Sequence, residues 1–406
     1  VSYLAEAFMK LADLTTPEFL DNPYPFYETL RAEGPLVRIG PKAVITGRYD
    51  VIEAILHDRR FGKNYPESIR MRYGDDAMHM RLFQGFSRMF LVMNPPSHTR
   101  QRALIVKAFD ARHVDAMKDV SHRIAHELID AFEKAGTANL MAQFAFPLPL
   151  RMIGQMLDIP AEDTTQLGEA VSAIAKVIDV APMNADDLGR ACAGYEDLEH
   201  YFHCVVEARR RRPGNDLISM LLAVEEEGER LSQDDIVSNT ILLLLAGHET
   251  TSNMIGNALI ALHRHPEQLA LLKREPSLMP AAVLECMRYD GSAQTTIRSA
   301  LEDVEIAGVD VPCGTSVLLM FGSANRDPAQ YADPDLLDIE RNEARLQSFG
   351  SGIHHCLGYR MALVQLETAL TALLERLPGL ELTGLDNLNW NRRGNLRGVT
   401  SLVARW

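Results

Sequence analysis

The residues with the greatest chemical potential lie in Phe349-Gly350-Ser351-Gly352-Ile353-His354-His355-Cys356-Leu357-Gly358-Tyr359-Arg360-Met361-Ala362. A single cysteine stands among glycines, and an apolar pattern of helical spacing (Met361, Leu363, Val364, Leu366, Leu370) begins just after it. Glycine permits a sharp turn and a close approach of backbone to ligand, because no Cβ intervenes. A cysteine just before a helix meets outward-pointing N–H groups and the positive end of the helix dipole. That environment favours thiolate, the form of sulfur that binds metal. One thiolate with room for a flat ligand is what a haem iron with an axial cysteine needs. Two plainer readings compete: a glycine turn that happens to carry a cysteine, and a zinc site using His354, His355 and Cys356. Zinc wants four tetrahedral ligands, whereas adjacent side chains point apart.

A second unusual string is Ala246-Gly247-His248-Glu249-Thr250-Thr251, which interrupts the apolar run Ile241-Leu242-Leu243-Leu244-Leu245. Ser232-Gln233-Asp234-Asp235 reads as an N-cap with acids in the first turn, and Leu231 with Ile236 as a hydrophobic staple. Helical pattern then runs to His265 and stops at Pro266. At 1.5 Å per residue this is roughly 50 Å, enough to cross a whole domain. A glycine inside such a helix costs about 1 kcal/mol relative to alanine, and threonines can bond carbonyls one turn back and bend it. Ala246, Gly247 and Thr250 share one face. A helix passing close over a ligand could use them; for Gly-x-x-Thr alone, a tolerated polar kink is the better explanation.

Other pairs have ordinary explanations when taken alone. His98 and Arg102 are i, i+4, the spacing of a solvated helix face. Glu285 and Arg288 form an E-x-x-R pair worth a few tenths of a kcal/mol on a surface. Arg209-Arg210-Arg211-Arg212 closes a helix, where the dipole favours cations.

Together these strings resemble the cytochrome P450 monooxygenases in order and spacing, from about Asn22 to Trp406. Phe-Gly-x-Gly-x-His-x-Cys-x-Gly ending in Ala362 resembles that family's haem-binding signature, with Met361 where leucine is commoner. The resemblance implies haem b with Cys356 as the axial ligand to iron, within a loop formed by Phe349, Gly350 and Gly358. His354, His98, Arg102 and Arg298 would pair the haem propionates, since buried carboxylates need partners. The string at 246–251 resembles the oxygen-activation motif. By that resemblance Ala246 and Gly247 make room for O2, Thr250 hydrogen-bonds the oxygen, and Glu249 feeds a proton relay. Glu285, Arg288 and Arg341 would form the family's structural ion cluster. Gly291-Ser292 stands where the family often has proline.

The elements that must position these residues are mostly helices. A helix opened by Asn22-Pro23-Tyr24-Pro25 and running through Leu30, another from about Asp50 to Leu56, and a series from Val114 to about Arg212 read as helical. Leu36–Ile39, Ala43–Thr46, Val304–Ile306 and Ser316–Met320 read as strands, Ala293 to Arg298 as extended, and Leu396–Thr400 with Leu402–Trp406 as a hairpin. Residues 61–95 read as an irregular, methionine-rich loop whose apolar end, Phe90, Leu91 and Val92, folds over a pocket. The expected fold is therefore mainly α with small β-sheets, a P450 fold whose long central helix covers a buried haem. A single domain is expected, with β-rich portions near 36–46, 293–320 and 380–406.

The chain's 406 residues can bury a core large enough for a cofactor. A net charge of −14 argues against nucleic acid as a partner. Cys192, Cys204, Cys286, Cys313 and Cys356 have no framework spacing, which suits a reducing compartment with four of them as small core residues. Val1–Glu6 opens no apolar run of the roughly 20 residues that a span requires. A soluble, cytoplasmic monomer is expected.

The resemblance implies an enzyme that takes NAD(P)H electrons through a separate ferredoxin and its reductase. It would hydroxylate or epoxidise a hydrophobic small molecule, a polyketide, macrolide or terpenoid of secondary metabolism. Fatty-acid or xenobiotic hydroxylation, a non-oxygenating haem-thiolate enzyme and a haem-binding sensor are the alternatives. Phe90, Leu91, Val92, Leu242, Leu243, Ala293, Gln294, Thr295 and Thr296 are the candidates to line the substrate pocket.

Overall fold

The computed structural model describes residues 10–109, 111–180, 182–225, 228–341 and 345–406; the Val1–Glu6 stretch read above lies outside them. The chain divides into two compact units. One is Val1–Gly62, Ala125–Phe146 and Thr250–Trp406, and the other is Lys63–Ile124 and Pro147–Glu249.

The first unit carries the sheets. Its main sheet runs Val37–Gly40, Ala43–Thr46, Ser316–Met320, Thr295–Ala300, Phe61–Gly62. Ala43–Thr46 pairs parallel with Ser316–Met320, and Thr295–Ala300 pairs antiparallel with the other side, Ile297 opposite Leu318. β-Branched residues suit such half-buried pleats. Val44, Val317 and Leu319 join Ile52, Ile55 and Leu56 of the helix Tyr49–His57 in one core. The helix Tyr359–Arg376 buries Leu366, Ala369, Leu370 and Leu373, one apolar face at helical spacing.

A smaller sheet corrects the reading of the C-terminal segment. Val403–Arg405 does not fold back on Leu396–Thr400. It lies between Thr137–Asn139 and Glu381–Leu382, antiparallel to both. Leu396 instead bridges to Ala293, and Val399 to Trp390. The cause is a long-range ion pair: Arg397 Nε lies 2.7 Å from Asp290 Oδ1 and holds this segment there.

In the second unit the regular elements among the described residues are helices. The long Ala185–Arg211 packs closely on Ala161–Ala175, where a methyl at Gly194 would come within 3.1 Å of the Ala170 carbonyl oxygen. Residues 61–95 are not an irregular loop. Tyr65–Tyr73 and Arg81–Ser87 are helices and Phe90–Val92 is a single 3-10 turn. Gly85, which reads as a breaker, sits inside a helix because the phenol of Tyr195 fills the space a methyl would need. Leu82, Phe83 and Phe86 form the buried face of that helix.

Gln233–Arg264 is one helix of 32 residues, matching the expected span. Its start is reciprocally capped: Asp235 N–H donates to Ser232 Oγ at 3.1 Å, and Ser232 N–H to Asp235 Oδ2 at 3.2 Å. Among the described residues no helix is long and apolar enough to cross a membrane.

The expectation of four core cysteines is also corrected. Cys286 is buried, with its thiol pushed up by desolvation. Cys192 is half-buried, while Cys204 and Cys313 are exposed. Cys204 stands on the open side of its helix, 4.0 Å from His200 Nε2, and Cys313 follows a surface strand and bonds the Leu301 carbonyl. None of the five cysteines is in a disulfide.

Candidate active site

The cysteine loop belongs to the first unit, and its shape follows from its glycines. Gly350 has φ +63° and Gly352 φ +67°, the left-handed region that glycine enters without steric cost. Gly350 N–H donates to Gln347 O at 2.8 Å, His355 N–H to Gly352 O at 3.1 Å, and Cys356 N–H to Phe349 O at 3.0 Å. The last bond closes the loop and brings Phe349 and Cys356 together across it. The Phe349 ring meets Tyr359 edge-on at 6.1 Å, at the first residue of Tyr359–Arg376.

A distant side chain fixes this loop. Glu53 Oε2 accepts from Gln347 Nε2 at 2.6 Å and from Ser351 Oγ at 3.1 Å. A methyl on Gly352 would strike the carbonyl of Leu56, on the same helix as Glu53. Phe349, His354, Cys356, Leu357 and Gly358 remain only half-buried, and a methyl at Gly358 would meet nothing. A rigid turn therefore presents sulfur beside open space. Among the described residues no group of three or more His, Cys, Asp or Glu side chains is placed to hold a metal ion, which leaves the zinc reading without ligands.

Arg298 lies in the strand Thr295–Ala300 of the same unit, 6% exposed. Its Nη1 bonds the Ile297 carbonyl at 3.1 Å and Thr296 Oγ1 at 3.4 Å, and no carboxylate of the described residues pairs with it. Burial alone pushes its guanidinium down to about 10. A cation desolvated in this way is costly unless an anion joins it. Arg298 therefore fits a propionate, and the half-open cysteine loop fits a thiolate-ligated haem.

The long helix offers an independent sign of open space. Every residue from Ile236 to Leu262 is buried except Leu243, Ala246, Gly247, Glu249 and Thr250. Leu243, Ala246, Gly247 and Thr250 fall at i, i+3, i+4 and i+7, one stripe along the helix; Glu249 flanks it. Gly247 has a packing reason of its own, since a methyl there would come within 2.6 Å of Ile153 Cδ1. The backbone of Thr250 is held from outside the helix: Ser292 Oγ donates to its carbonyl at 2.8 Å.

In the second unit, His98 is 1% exposed and Arg102 half-buried on the helix Ser97–Ala108. The Phe90 ring lies 6.2 Å from the imidazole and 5.8 Å from the guanidinium carbon. Asn239 accepts from Phe90 N–H at 3.1 Å and donates to Gln101 Oε1 at 3.1 Å, tying this turn to the long helix.

Among the pocket candidates, Leu91, Val92, Leu243, Ala293 and Thr296 are half-buried, while Phe90, Leu242, Gln294 and Thr295 are buried. Gln294 is engaged elsewhere. It accepts from Tyr27 Oη at 2.7 Å and donates to Gly291 O at 2.6 Å.

Glu285, Arg288 and Arg341 come together as an ion cluster. Arg288 Nε and Nη2 reach the two carboxylate oxygens of Glu285 at 2.7 and 2.8 Å, and Arg341 Nε lies 3.3 Å from Oε1. Arg288 also donates to the carbonyls of Asn325, Pro334 and Leu336. Glu53, Ser292 and Asn257 escaped the sequence reading, because their partners are remote and no local pattern marks them.

Known proteins resemble this chain over most of its length. The family model described as Cytochrome P450 matches residues 34–381. A cytochrome P450 of Xylella fastidiosa, 133B2, is 61% identical over 396 residues, covering 98% of this chain and 99% of that one. The 6-deoxyerythronolide B hydroxylase of Saccharopolyspora erythraea is 35% identical over 406 residues, covering 97% and 98%. The solved structure of P450BioI with hexadec-9Z-enoic acid-ligated acyl carrier protein superposes with TM-score 0.90 at 34% identity, covering 96% of this chain and 100% of that one.

Proposed function

The chain belongs to the cytochrome P450 family and is a monooxygenase, and from that premise we propose that it oxidises a hydrophobic small molecule at a haem held by Cys356. The observation that carries this is the loop in which Cys356 N–H closes on Phe349 O between left-handed glycines. A thiolate-ligated haem, when bound, supplies activation of O2 and transfer of one oxygen atom to substrate.

The remaining work falls to the chain's own residues. Arg298, His354, His98 and Arg102 are the cations assigned to the propionates. Gly350 and Gly358 keep side chains out of the loop. Ala246, exposed on the long helix, leaves room for O2, and Gly247 admits the Ile153 side chain beside it. Thr250 Oγ1 donates a proton toward the oxygen, and Glu249 resupplies it, the positioned donor that general acid catalysis requires. Glu285, Arg288 and Arg341 hold the fold and touch no reactant.

For the substrate we propose a polyketide or macrolide, or a terpenoid. Leu91, Val92 and Leu243 are apolar and half-buried, as side chains that meet such a substrate should be, and the relative named as a 6-deoxyerythronolide B hydroxylase supports the class. A fatty acyl chain is the second reading, favoured by the acyl group in the P450BioI complex. We further propose one functional domain acting as a cytoplasmic monomer, with NAD(P)H electrons delivered by a ferredoxin and its reductase.

The test is spectroscopic. The reduced protein with carbon monoxide should give the strongly red-shifted Soret band of thiolate ligation, and Cys356→Ala should lose it. A globin-like band in the unaltered protein sinks the proposal. Spin-state titration against macrolides, terpenoids and fatty acids then decides the substrate class.

A further inference from the structure

The carbonyl of Thr250 is a backbone acceptor inside a helix, yet it also takes a hydrogen bond from a side chain outside that helix. Ser292 Oγ is the donor, at 2.8 Å, and Ser292 is 6% exposed. A carbonyl has two lone pairs, so it can serve both a helical N–H and a hydroxyl. The second bond fixes the direction of this carbonyl relative to a group outside the helix. Residue 250 is also where the open stripe of the long helix ends, since 251–262 are all buried.

The segment that carries Ser292 is itself tightly held. Arg397 N–H donates to Ser292 O at 2.7 Å. One turn pair further along the long helix, Asn257 Nδ2 donates to Asp290 O at 3.1 Å and to Arg397 O at 3.2 Å. The Asp290–Arg397 ion pair joins those two acceptors' residues at 2.7 Å. Gly291 cannot be replaced cheaply, because a methyl there would lie 2.6 Å from the Met287 carbonyl oxygen. Thr250 and Asn257 are i, i+7 and so lie on one face. That face is clamped at both points to residues 290–292.

We propose that Ser292 is a positioning residue for proton delivery, fixing through the Thr250 carbonyl the direction in which the Thr250 hydroxyl points. The inference rests on the reading of Thr250 as the proton donor. Its physical basis is that a reacting group displaced by about 1 Å can lose about 100-fold in rate, while a side chain is only as well placed as its own backbone. Glycine before it and a hydroxyl at 292 thus replace a stiffer, donor-free connection with one that bonds the helix.

The test compares Ser292→Ala, Ser292→Thr, Thr250→Ala and the double variant Ser292→Ala/Thr250→Ala in the haem-loaded enzyme. Two readouts are needed: product formed per NAD(P)H consumed with a turnover-competent substrate, and amide hydrogen exchange along residues 250–257. Loss of one buried hydrogen bond is worth about fivefold. Ser292→Ala should therefore exchange about fivefold faster at 250–257 and lower the coupling ratio by a similar factor. Ser292→Thr, which keeps the hydroxyl, should restore both. The double variant should be no less coupled than Thr250→Ala alone, because Ser292 acts only through Thr250. If Thr250→Ala uncouples the enzyme while Ser292→Ala changes neither readout, the positioning role is overturned and the threonine reading stands. An additive loss in the double variant also overturns it. If Thr250→Ala leaves coupling intact, the threonine reading fails and the positioning role falls with it, whatever the exchange rates show.

Discussion

Two buried arginines of the same unit show how differently a fold can treat one kind of charge. Arg288 is 2% exposed and Arg298 6%. Arg288 meets Glu285 through two nitrogens and three carbonyls besides, so each of its donors has an acceptor. Among the described residues Arg298 finds only the carbonyl of Ile297 and the hydroxyl of Thr296, within its own strand, and desolvation pushes it down to about 10. The first arginine completes the protein. The second keeps a buried charge that no carboxylate of the described residues offsets. A buried charge that the fold leaves uncompensated marks a binding site better than a compensated one does.

The sharpest way to break this contrast is to disrupt the satisfied cluster. Glu285→Ala would strand the guanidiniums of Arg288 and Arg341, at a cost of about 3–5 kcal/mol. That is a large part of a typical stability of about 5–15 kcal/mol. Urea unfolding should show a midpoint shifted far down, or no folded protein; a near-neutral result would mean that the cluster is not structural.

Arg298→Met should do the reverse. Without haem, removing an unpaired buried cation should stabilise the fold by about 1–3 kcal/mol. With haem, the same variant should lose the cofactor faster, measured by haem transfer to an apoglobin acceptor. If apo stability falls and haem retention is unchanged, Arg298 belongs with Arg288 after all.

A smaller effect concerns pH. Burial holds the Arg298 guanidinium at about 10, below its ordinary value, so above that pH the unfolded chain binds a proton that the folded one has lost. The penalty is fully present below pH 10 and is relieved as pH rises through this window. The stability gap between the apo protein and its Arg298→Met variant should therefore narrow between about pH 10 and 12. A flat gap would show that desolvation does not set this group's charge.

The sequence made the chemistry legible and the geometry only in part. The glycine-bracketed Cys356, the interrupted helix around Thr250 and the E-x-x-R pair were readable because each is a local pattern with a mechanical reason. The Gln233–Arg264 helix was readable to within a residue, since its cap and its stop are written in Ser232 and Pro266. What escaped was long-range. Residues 61–95 read as a loop, but the fit of Gly85 against Tyr195 depends on a residue far along the chain. The C-terminal strand chose Thr137–Asn139 as a neighbour, a pairing no local alternation reveals. Ser292 looked like a departure from the family's usual proline, and only the structure shows that it bonds Thr250.

The grip of Glu53 on the cysteine loop bears on how the enzyme is made. Its two hydrogen bonds, to Gln347 and Ser351, cross 294 and 298 positions of chain. On the ribosome the anchoring helix emerges early and waits, while the loop it must hold is synthesised near the end. The loop can meet its anchor only after most of the polypeptide has been made, and a nascent chain stalled before residue 347 should be colourless however much haem the cell supplies.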